Sequence, residues 1–178
     1  MDLTEQTVEK RYVYRGRIIK VRNDLARLPD GNPCQREVVE HTGGVAIIAE
    51  YQGKIALVRQ YRYPYAETIL EIPAGKLNPG EDPLACGKRE LEEETGLTAK
   101  RWIDLGMIYP SPGYTDEKLY LYRAEELAEG NRHPDDDEFL DVVWMTPSEL
   151  DAAVRSGEIK DAKTVAAVLK YQVLYGTK

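Results

Sequence analysis

Alternation of apolar and polar residues dominates the first part of the chain. Over residues 8–28 apolar side chains recur among polar ones, with a break at Gly16, which predicts two or three antiparallel strands. The turn-forming residues 29–32 (PDGN) then lead to a further predicted strand over residues 36–41. We therefore expect a small antiparallel sheet at the start of the chain.

A second pattern follows a pair of glycines. Residues 45–49 are continuously apolar, as in a strand that is buried on both faces. Gln52-Gly53 predicts a hairpin turn into a strand over residues 54–61. Another strand is predicted over residues 68–72.

Helix signals appear in the middle of the chain and near its end. Asp82 is a good N-cap, Pro83 suits the first helical position, and Gly96 suits the position after the last turn. Leu84 and Leu91 lie on one flank of this helix, as a core-facing stripe requires. Two further helices are predicted over residues 147–156 and 162–174.

Together these elements predict an α/β sandwich with a mixed sheet. The helix after Asp82 should cover one side of the sheet and the C-terminal helices the other. The small N-terminal sheet is expected to be a subdomain over residues 1–42, followed by the main domain over residues 43–178. The remaining strands of the main domain are predicted over residues 101–109, 117–123 and 140–145.

The helix after Asp82 carries an unusual concentration of acids. At about 100° per residue, Glu90, Glu93 and Glu94 fall on one face of the helix, and Glu92 points the other way, toward solvent. Like charges on one face repel, and a hard cation such as Mg²⁺ offsets that cost because carboxylate oxygens are its preferred ligands. The alternative is an acidic helix face that is simply solvated.

Composition narrows the class of protein. The net charge of −7 argues against a nucleic-acid backbone as the main partner. The apolar runs are too short to span a bilayer, and the first ten residues lack the apolar core of a secretory signal. Cys34 and Cys86 form no metal-binding pattern and suit a reducing cytoplasm. The acidic run 135–138 is expected to be a solvated loop.

The acidic helix is part of a longer motif. Nine positions at fixed spacing resemble the signature of the Nudix hydrolases, which cleave nucleoside diphosphates linked to another moiety with Mg²⁺ or Mn²⁺. These positions are Gly75, Glu81, Arg89, Glu90, Leu91, Glu93, Glu94, Gly96 and Leu97. The resemblance implies that Glu90 and Glu94 are the principal metal ligands and that the Ala74 carbonyl completes a site. Glu93 would bind a further metal, directly or through water, and so take part in catalysis.

The resemblance implies structural roles for the other signature residues. Glu81 and Arg89 are expected to pair across the loop and the helix, bracing the motif. Gly75 brings the backbone close to the carboxylates, and Gly96 ends the helix.

Motifs outside the signature resemble the bacterial ADP-ribose pyrophosphatase branch of the family. Pro112 stands fifteen positions beyond Leu97, and similar motifs occur over residues 14–17, 59–62, 70–75 and 161–164. The resemblance implies hydrolysis of ADP-ribose to AMP and ribose 5-phosphate with two or three Mg²⁺ ions. It also implies a cytoplasmic homodimer in which the N-terminal segment is exchanged between subunits.

The same branch suggests the remaining site residues. Glu117 would deprotonate the attacking water, with Asp116 as a possible substitute. Substrate would be held by Arg17 acting across the dimer and by Arg59, Glu71, Pro112 and Gly113. Tyr12 or Tyr14 would stack on adenine, and neither His41 nor His133 needs a role.

Two other functions remain open at this point. One is a different Nudix specificity, for a GDP-sugar, a diadenosine polyphosphate or a nucleoside triphosphate. The other is a non-catalytic ADP-ribose sensor, which is disfavoured because none of the signature acids is missing.

Overall fold

A computed structural model describes residues 1–134 and 138–175. Most of the predicted acidic loop, residues 135–137, lies outside the described residues. The chain divides into two compact units. The first contains residues 1–43 together with residues 109–118, and the second contains residues 44–108 together with the chain from residue 119 onward.

The first unit is built on a four-stranded antiparallel sheet. Strand β4 pairs with the whole length of β3, whereas β2 pairs with the first residues of β3 and β1 with its last residues. The predicted N-terminal sheet is thus confirmed. The strands are β1 (Gln6–Glu9), β2 (Tyr12–Arg15), β3 (Lys20–Arg27) and β4 (Pro33–Glu40).

The second unit is built on a seven-stranded mixed sheet. The order is β11-β6-β5-β10-β9, with β7 paired to β6 and β8 paired to β5. Strands β5 and β10 are parallel, and the other pairs are antiparallel. Its strands are β5 (Gly44–Tyr51), β6 (Lys54–Arg62), β7 (Glu67–Glu71), β8 (Ala74–Lys76), β9 (Leu97–Ile108), β10 (Leu119–Glu129) and β11 (Leu140–Met145). Its helices are α1 (Pro83–Thr95), α2 (Pro147–Ser156) and α3 (Ala162–Tyr175).

Strand β5 has a core on each of its faces, because successive side chains of a strand point in opposite directions. Ala46 and Ile48 pack in one hydrophobic cluster with side chains of α2 and α3. Ile47 belongs to a second cluster with Cys86 and Leu91 of α1. The predicted layers, with α1 on one side and the C-terminal helices on the other, are confirmed.

Several details differ from the predictions. The short strand β8 and a 3₁₀ turn at Tyr63–Tyr65 were not predicted. Strand β9 begins at Leu97, directly after the end of α1. Strand β10 begins only at Leu119, so Glu117 lies before it, in residues that belong to the first unit. Among the helices of the described residues, none is long and apolar enough to cross a membrane.

Candidate active site

Local sequence sets both ends of α1. The Asp82 side chain accepts a hydrogen bond from the Ala85 amide at 2.9 Å, and Pro83 occupies the first turn, where no amide donor is needed. Gly96 ends the helix with a left-handed φ of 71°, which costs glycine little, and its amide donates to the Glu92 carbonyl. The two ends of α1 thereby fix the direction in which its acidic side chains point.

Two of the acids on that face are buried against the backbone of β8. The Ala74 amide donates to Glu94 Oε2 at 3.0 Å. The carboxyl group of Glu90 lies so close to Gly75 that a Cβ atom at position 75 would stand 1.8 Å from Glu90 Cδ. Only glycine fits there. Glu90 and Glu94 are 6% and 2% exposed, so both carboxyls have lost most of their water.

This burial changes the acidity of both groups. Burial raises the pKa of Glu90 to about 7, against the opposing charge of Arg89. Burial also raises the pKa of Glu94 to about 8, although the hydrogen bond from the Ala74 amide acts in the other direction. Without a cation beside them, both carboxyls are therefore partly protonated near neutral pH.

Arg89 braces the motif as predicted. Its Nε and Nη2 atoms donate to the two carboxylate oxygens of Glu81 at 3.0 and 3.1 Å. Its Nη1 atom donates to Glu90 Oε1 and Glu93 Oε2, each at 2.8 Å. The hydrogen bond from Arg89 is the main cause that lowers the pKa of Glu81 to about 2. Arg89 thus links the loop before α1 to two of the predicted metal ligands.

Glu92 lies apart from this cluster, in agreement with the helical spacing. Its Oε1 atom is 3.5 Å from the amide of Asn131. The side chain is half-buried, so the prediction that it faces solvent was only partly correct.

The donors on the acidic face suit a hard divalent cation. Glu90, Glu93, Glu94 and the Ala74 carbonyl offer only oxygen, which Mg²⁺ and Mn²⁺ prefer. Cations also relieve the cost of ionising buried carboxyls. Within the described part of the chain no three acidic, histidine or cysteine side chains already converge as a metal cage. Instead, the guanidinium of Arg89 supplies positive charge between Glu90 and Glu93.

Glu71 sits at the end of β7, shortly before Ala74, and its carboxylate is fully engaged. Arg62 donates to its two oxygens at 2.5 and 2.8 Å, and Lys163 also pairs with it. Burial raises the pKa of Glu71, but the hydrogen bonds from Arg62 and the charge of Lys163 outweigh it, so the pKa lies below its usual value. The predicted contact of Glu71 with substrate stays a prediction, and the structure gives this carboxylate two partners in the chain.

Arg59 lies on the surface of β6. Its Nη2 atom is 2.6 Å from Asp141 Oδ2, and both side chains are more than half exposed. Such an exposed pair contributes little to stability. Its predicted role in substrate binding stays a prediction.

The first unit contains the predicted base. Glu117 precedes β10, and its amide donates to Thr115 Oγ1 at 3.2 Å. The segment before it is tied to β4, because the Val39 amide donates to the Tyr114 carbonyl at 2.7 Å. Glu117 Oε1 lies 3.3 Å from Nδ1 of His41, to which the sequence assigned no role. The side chain of Glu117 remains 26% exposed.

The other predicted residues of the first unit are exposed. Arg17 lies in the bend between β2 and β3, and Pro112 and Gly113 lie in a turn. Asp116, the alternative base, accepts a hydrogen bond from the His41 amide at 2.9 Å. The guanidinium carbon of Arg15 lies over the ring of Tyr12, 3.6 Å from the ring centroid. Each of these proposed roles in the site stays a prediction.

Sequence reasoning missed the network that surrounds Glu71. Arg62, Lys163 and Thr164 enter the sequence analysis only as members of the motifs over residues 59–62 and 161–164, with no contact to Glu71 predicted for any of them. A signal was present, because Asp161 followed by Thr164 has the spacing of an N-cap at the start of a helix. Nothing in the local sequence shows that this cap faces β7.

Comparison with known proteins agrees with this geometry. Residues 34–168 match the NUDIX domain, and residues 5–39 match the nucleoside diphosphate sugar hydrolase N-terminal domain. An ADP-ribose pyrophosphatase of Bacillus subtilis is 42% identical over 96% of this chain and 94% of its own length. A methanol dehydrogenase activator of Bacillus methanolicus is 41% identical over 95% of this chain and 93% of its own.

Two further matches extend the comparison. An ADP-ribose pyrophosphatase of Mycobacterium tuberculosis is 38% identical over 92% of this chain and 81% of its own length. A solved structure described as an ADP compounds hydrolase superposes with a TM-score of 0.86 at 20% identity, covering 99% of this chain and 100% of that chain. At that identity the superposition shows the fold alone. The NUDIX match spans most of the chain and includes the whole acidic motif, so this protein belongs to the Nudix family.

Proposed function

We propose that this protein hydrolyses ADP-ribose to AMP and ribose 5-phosphate with the help of divalent cations. The observation that carries the proposal is the pair of buried carboxylates, Glu90 and Glu94, packed against the Ala74–Gly75 backbone. The relatives named ADP-ribose pyrophosphatase support the choice of substrate, since they match nearly the whole chain.

The acidic face would hold the cations. Glu90 and Glu94 are the principal ligands, the Ala74 carbonyl adds an oxygen, and Glu93 takes a further ion directly or through water. Two or three Mg²⁺ ions, or Mn²⁺ in their place, are proposed. When bound, they neutralise charge on the diphosphate and make a water molecule more acidic. Arg89 keeps Glu90 and Glu93 oriented through its hydrogen bonds.

Glu117 is the proposed base and takes a proton from the attacking water. A bond forms between the water oxygen and one phosphorus atom while the bridging oxygen leaves, so no covalent intermediate is needed. Arg17 and Arg59 would bind phosphate or stack on the base, and Glu71, Pro112 and Gly113 would contact the rest of the substrate.

The proposed state of the protein is a cytoplasmic homodimer without nucleic-acid or membrane partners. The net charge of −7 opposes binding to nucleic acid. Several apolar side chains of β1 and β2 are exposed, among them Val8 and Val13, which is consistent with a second subunit covering them. A strictly monomeric protein with full activity in dilute solution would contradict the dimer.

A substrate panel combined with one pair of variants tests the function. Purified protein is assayed with Mg²⁺ on ADP-ribose, a GDP-sugar, a diadenosine polyphosphate and a nucleoside triphosphate. We expect ADP-ribose to give the highest kcat/KM. Glu94→Gln should lower kcat by roughly three powers of ten or more, because it removes a buried charged ligand. Glu92→Gln lies on the same helix outside the acidic cluster and serves as the matched control.

Three results would contradict the proposal. Near-normal turnover by folded Glu94→Gln would show that Glu94 is not a principal metal ligand. A clear preference for another nucleotide would assign a different Nudix specificity. Tight binding of ADP-ribose with no product released would favour the non-catalytic sensor.

A further inference from the structure

The first turn of α3 holds the end of β7, just before the Ala74 peptide. Thr164 is fully buried, at 0% exposure. Its hydroxyl oxygen accepts a hydrogen bond from the Ile72 amide at 2.9 Å and donates to Asp161 Oδ2 at 2.5 Å. The hydroxyl thus acts as donor and acceptor at once, which a valine or alanine at this position cannot do.

The same turn also reaches Glu71. Asp161 Oδ2 accepts from the Thr164 amide at 3.0 Å and caps α3, and Asp161 Oδ1 pairs with Lys163 at 3.0 Å. Lys163 in turn pairs with the Glu71 carboxylate, to which Arg62 also donates. Two cations and two anions therefore form a chain of ion pairs at the end of β7.

Each residue of the following segment has its own anchor. Glu71 is held by its side chain, and the Ile72 amide by Thr164. The Pro73 carbonyl accepts from the Ile47 amide at 2.9 Å. Ala74 donates to Glu94, and Gly75 lies against Glu90. The N-cap of α3 and the acidic face of α1 are thus connected by one short stretch of backbone, residues 71–75, in which every residue has a contact that holds it.

We propose that Thr164 is a positioning residue for the metal site, because its hydroxyl holds the Ile72 amide and thereby sets the Ala74–Gly75 backbone against Glu90 and Glu94. The inference rests on the proposed function, since it assumes that cations bind at this peptide. It adds a residue on the opposite helix layer, outside the Nudix signature, whose polar group controls how well the carboxylates and the Ala74 carbonyl are arranged.

Substitutions at position 164 separate positioning from packing. Thr164→Val keeps the shape of the side chain and removes the hydroxyl, whereas Thr164→Ser keeps the hydroxyl and removes a methyl group. Val168→Ala is the matched control for lost stability, because Val168 is buried one turn further along α3 in the hydrophobic cluster and its side chain is purely apolar.

Mn²⁺ binding is measured by calorimetry without nucleotide, and thermal unfolding is recorded for the same samples. We expect Thr164→Val to weaken Mn²⁺ binding by roughly tenfold or more, as substitutions behind metal ligands commonly do. Thr164→Ser should stay close to the wild-type affinity. Val168→Ala should lower the unfolding temperature and leave the affinity unchanged. The KM for ADP-ribose at saturating metal should change little in Thr164→Val.

A second measurement uses the wild-type protein, so it does not depend on whether Thr164→Val folds. Coupling between two sites is reciprocal, so a contact that strengthens metal binding must itself be strengthened by the metal. We expect Mg²⁺ to slow hydrogen exchange at the amides of Ile72 and Thr164 as well as at Ala74. NMR spectra recorded with and without Mg²⁺ report each amide separately.

The outcomes separate this inference from the proposed function. If wild-type protein binds Mn²⁺ and hydrolyses ADP-ribose but Thr164→Val binds Mn²⁺ equally well, the inference is wrong and the function stands. The same holds if Mg²⁺ protects Ala74 and leaves the exchange of Ile72 unchanged. If the wild-type protein binds no divalent cation at all, the proposed function itself fails.

Discussion

Raising the pH should destabilise the metal-free protein. The folded state holds Glu90 with a pKa of about 7 and Glu94 with a pKa of about 8, against an ordinary glutamate value of 4.5. The folded protein therefore binds more protons than the unfolded chain between those limits. Because stability falls with pH wherever the native state binds the extra protons, the free energy of unfolding should decline from about pH 5 to pH 8.

The size of this decline follows from the pKa values. A rise from 4.5 to about 7 at Glu90 corresponds to about 3 kcal/mol at 1.4 kcal/mol per pH unit. Glu94 acts in the same direction. Carboxylates with lowered pKa values, such as Glu71 and Glu81, lose their stabilising effect only as the pH falls below about 4.5, outside this range.

Urea unfolding followed by tryptophan fluorescence measures the effect directly. The experiment is done at several pH values from 5 to 8, with EDTA and again with excess Mg²⁺. We expect the EDTA curve to fall by more than about 3 kcal/mol, because the effect of Glu94 adds to that of Glu90. The Mg²⁺ curve should stay flatter, because the cation favours the ionised folded state. At pH 8 with EDTA, Glu94→Gln should be more stable than the wild type, because it removes a buried charge.

A flat or rising EDTA curve between pH 5 and pH 8 would refute this reasoning. So would a Glu94→Gln variant that is less stable than the wild type at pH 8 without metal. Glu92→Gln is the control, since Glu92 is outside the buried acidic cluster, and it should follow the wild-type curve.

Three further predictions follow from contacts in the same region and in the first unit. Gly75→Ala should abolish Mn²⁺ binding measured by calorimetry, because the added Cβ atom would stand 1.8 Å from Glu90 Cδ. Asp82→Ala should lower the free energy of unfolding by about 1 kcal/mol in urea titrations, because the N-cap of α1 is lost. Glu117→Gln should lower kcat by about 10²-fold or more in steady-state assays and leave metal affinity unchanged.

Each of these has a matched control. Gly87→Ala adds the same methyl group within α1, where the new Cβ atom would meet its nearest neighbour at an ordinary 3.5 Å, and it should keep metal binding. Asp82→Asn should retain most of the cap, since asparagine is an equally good N-cap residue. Asp116→Asn should keep kcat if Glu117 is the base. A larger loss of kcat in Asp116→Asn than in Glu117→Gln would indicate that Asp116 is the base instead.

Local chemistry predicted the elements of the second unit well. The cap at Asp82 and the stop at Gly96 are decided within a few residues, so both ends of α1 could be predicted from the sequence. The continuous apolar run 45–49 likewise identified β5, since a strand with a core on each face needs apolar residues throughout. The strand β8 is only three residues long and carries no pattern of its own, so it was missed.

The candidate site was predictable only where spacing along one helix decides it. Helical periodicity placed Glu90, Glu93 and Glu94 on one face and Glu92 away from it. Partners from distant segments left no local trace, and so the pairing of Glu71 with Lys163, 92 residues later, could not be derived from the sequence. The position of Glu117 beside His41 depends in the same way on how residues 109–118 return to the N-terminal sheet.

The pairing of residues 109–118 with the N-terminal sheet affects the order in which the protein can fold. The segment 109–118 adds its hydrogen bonds to β4 only after more than a hundred residues have been made, and β5 must wait equally long for its parallel neighbour β10. Such distant pairings slow folding, because the intervening chain must first be brought together. An N-terminal fragment emerging from the ribosome would thus expose unfilled strand edges for much of its synthesis, and deleting the first 43 residues to simplify the protein would deprive the later segment of its natural partner.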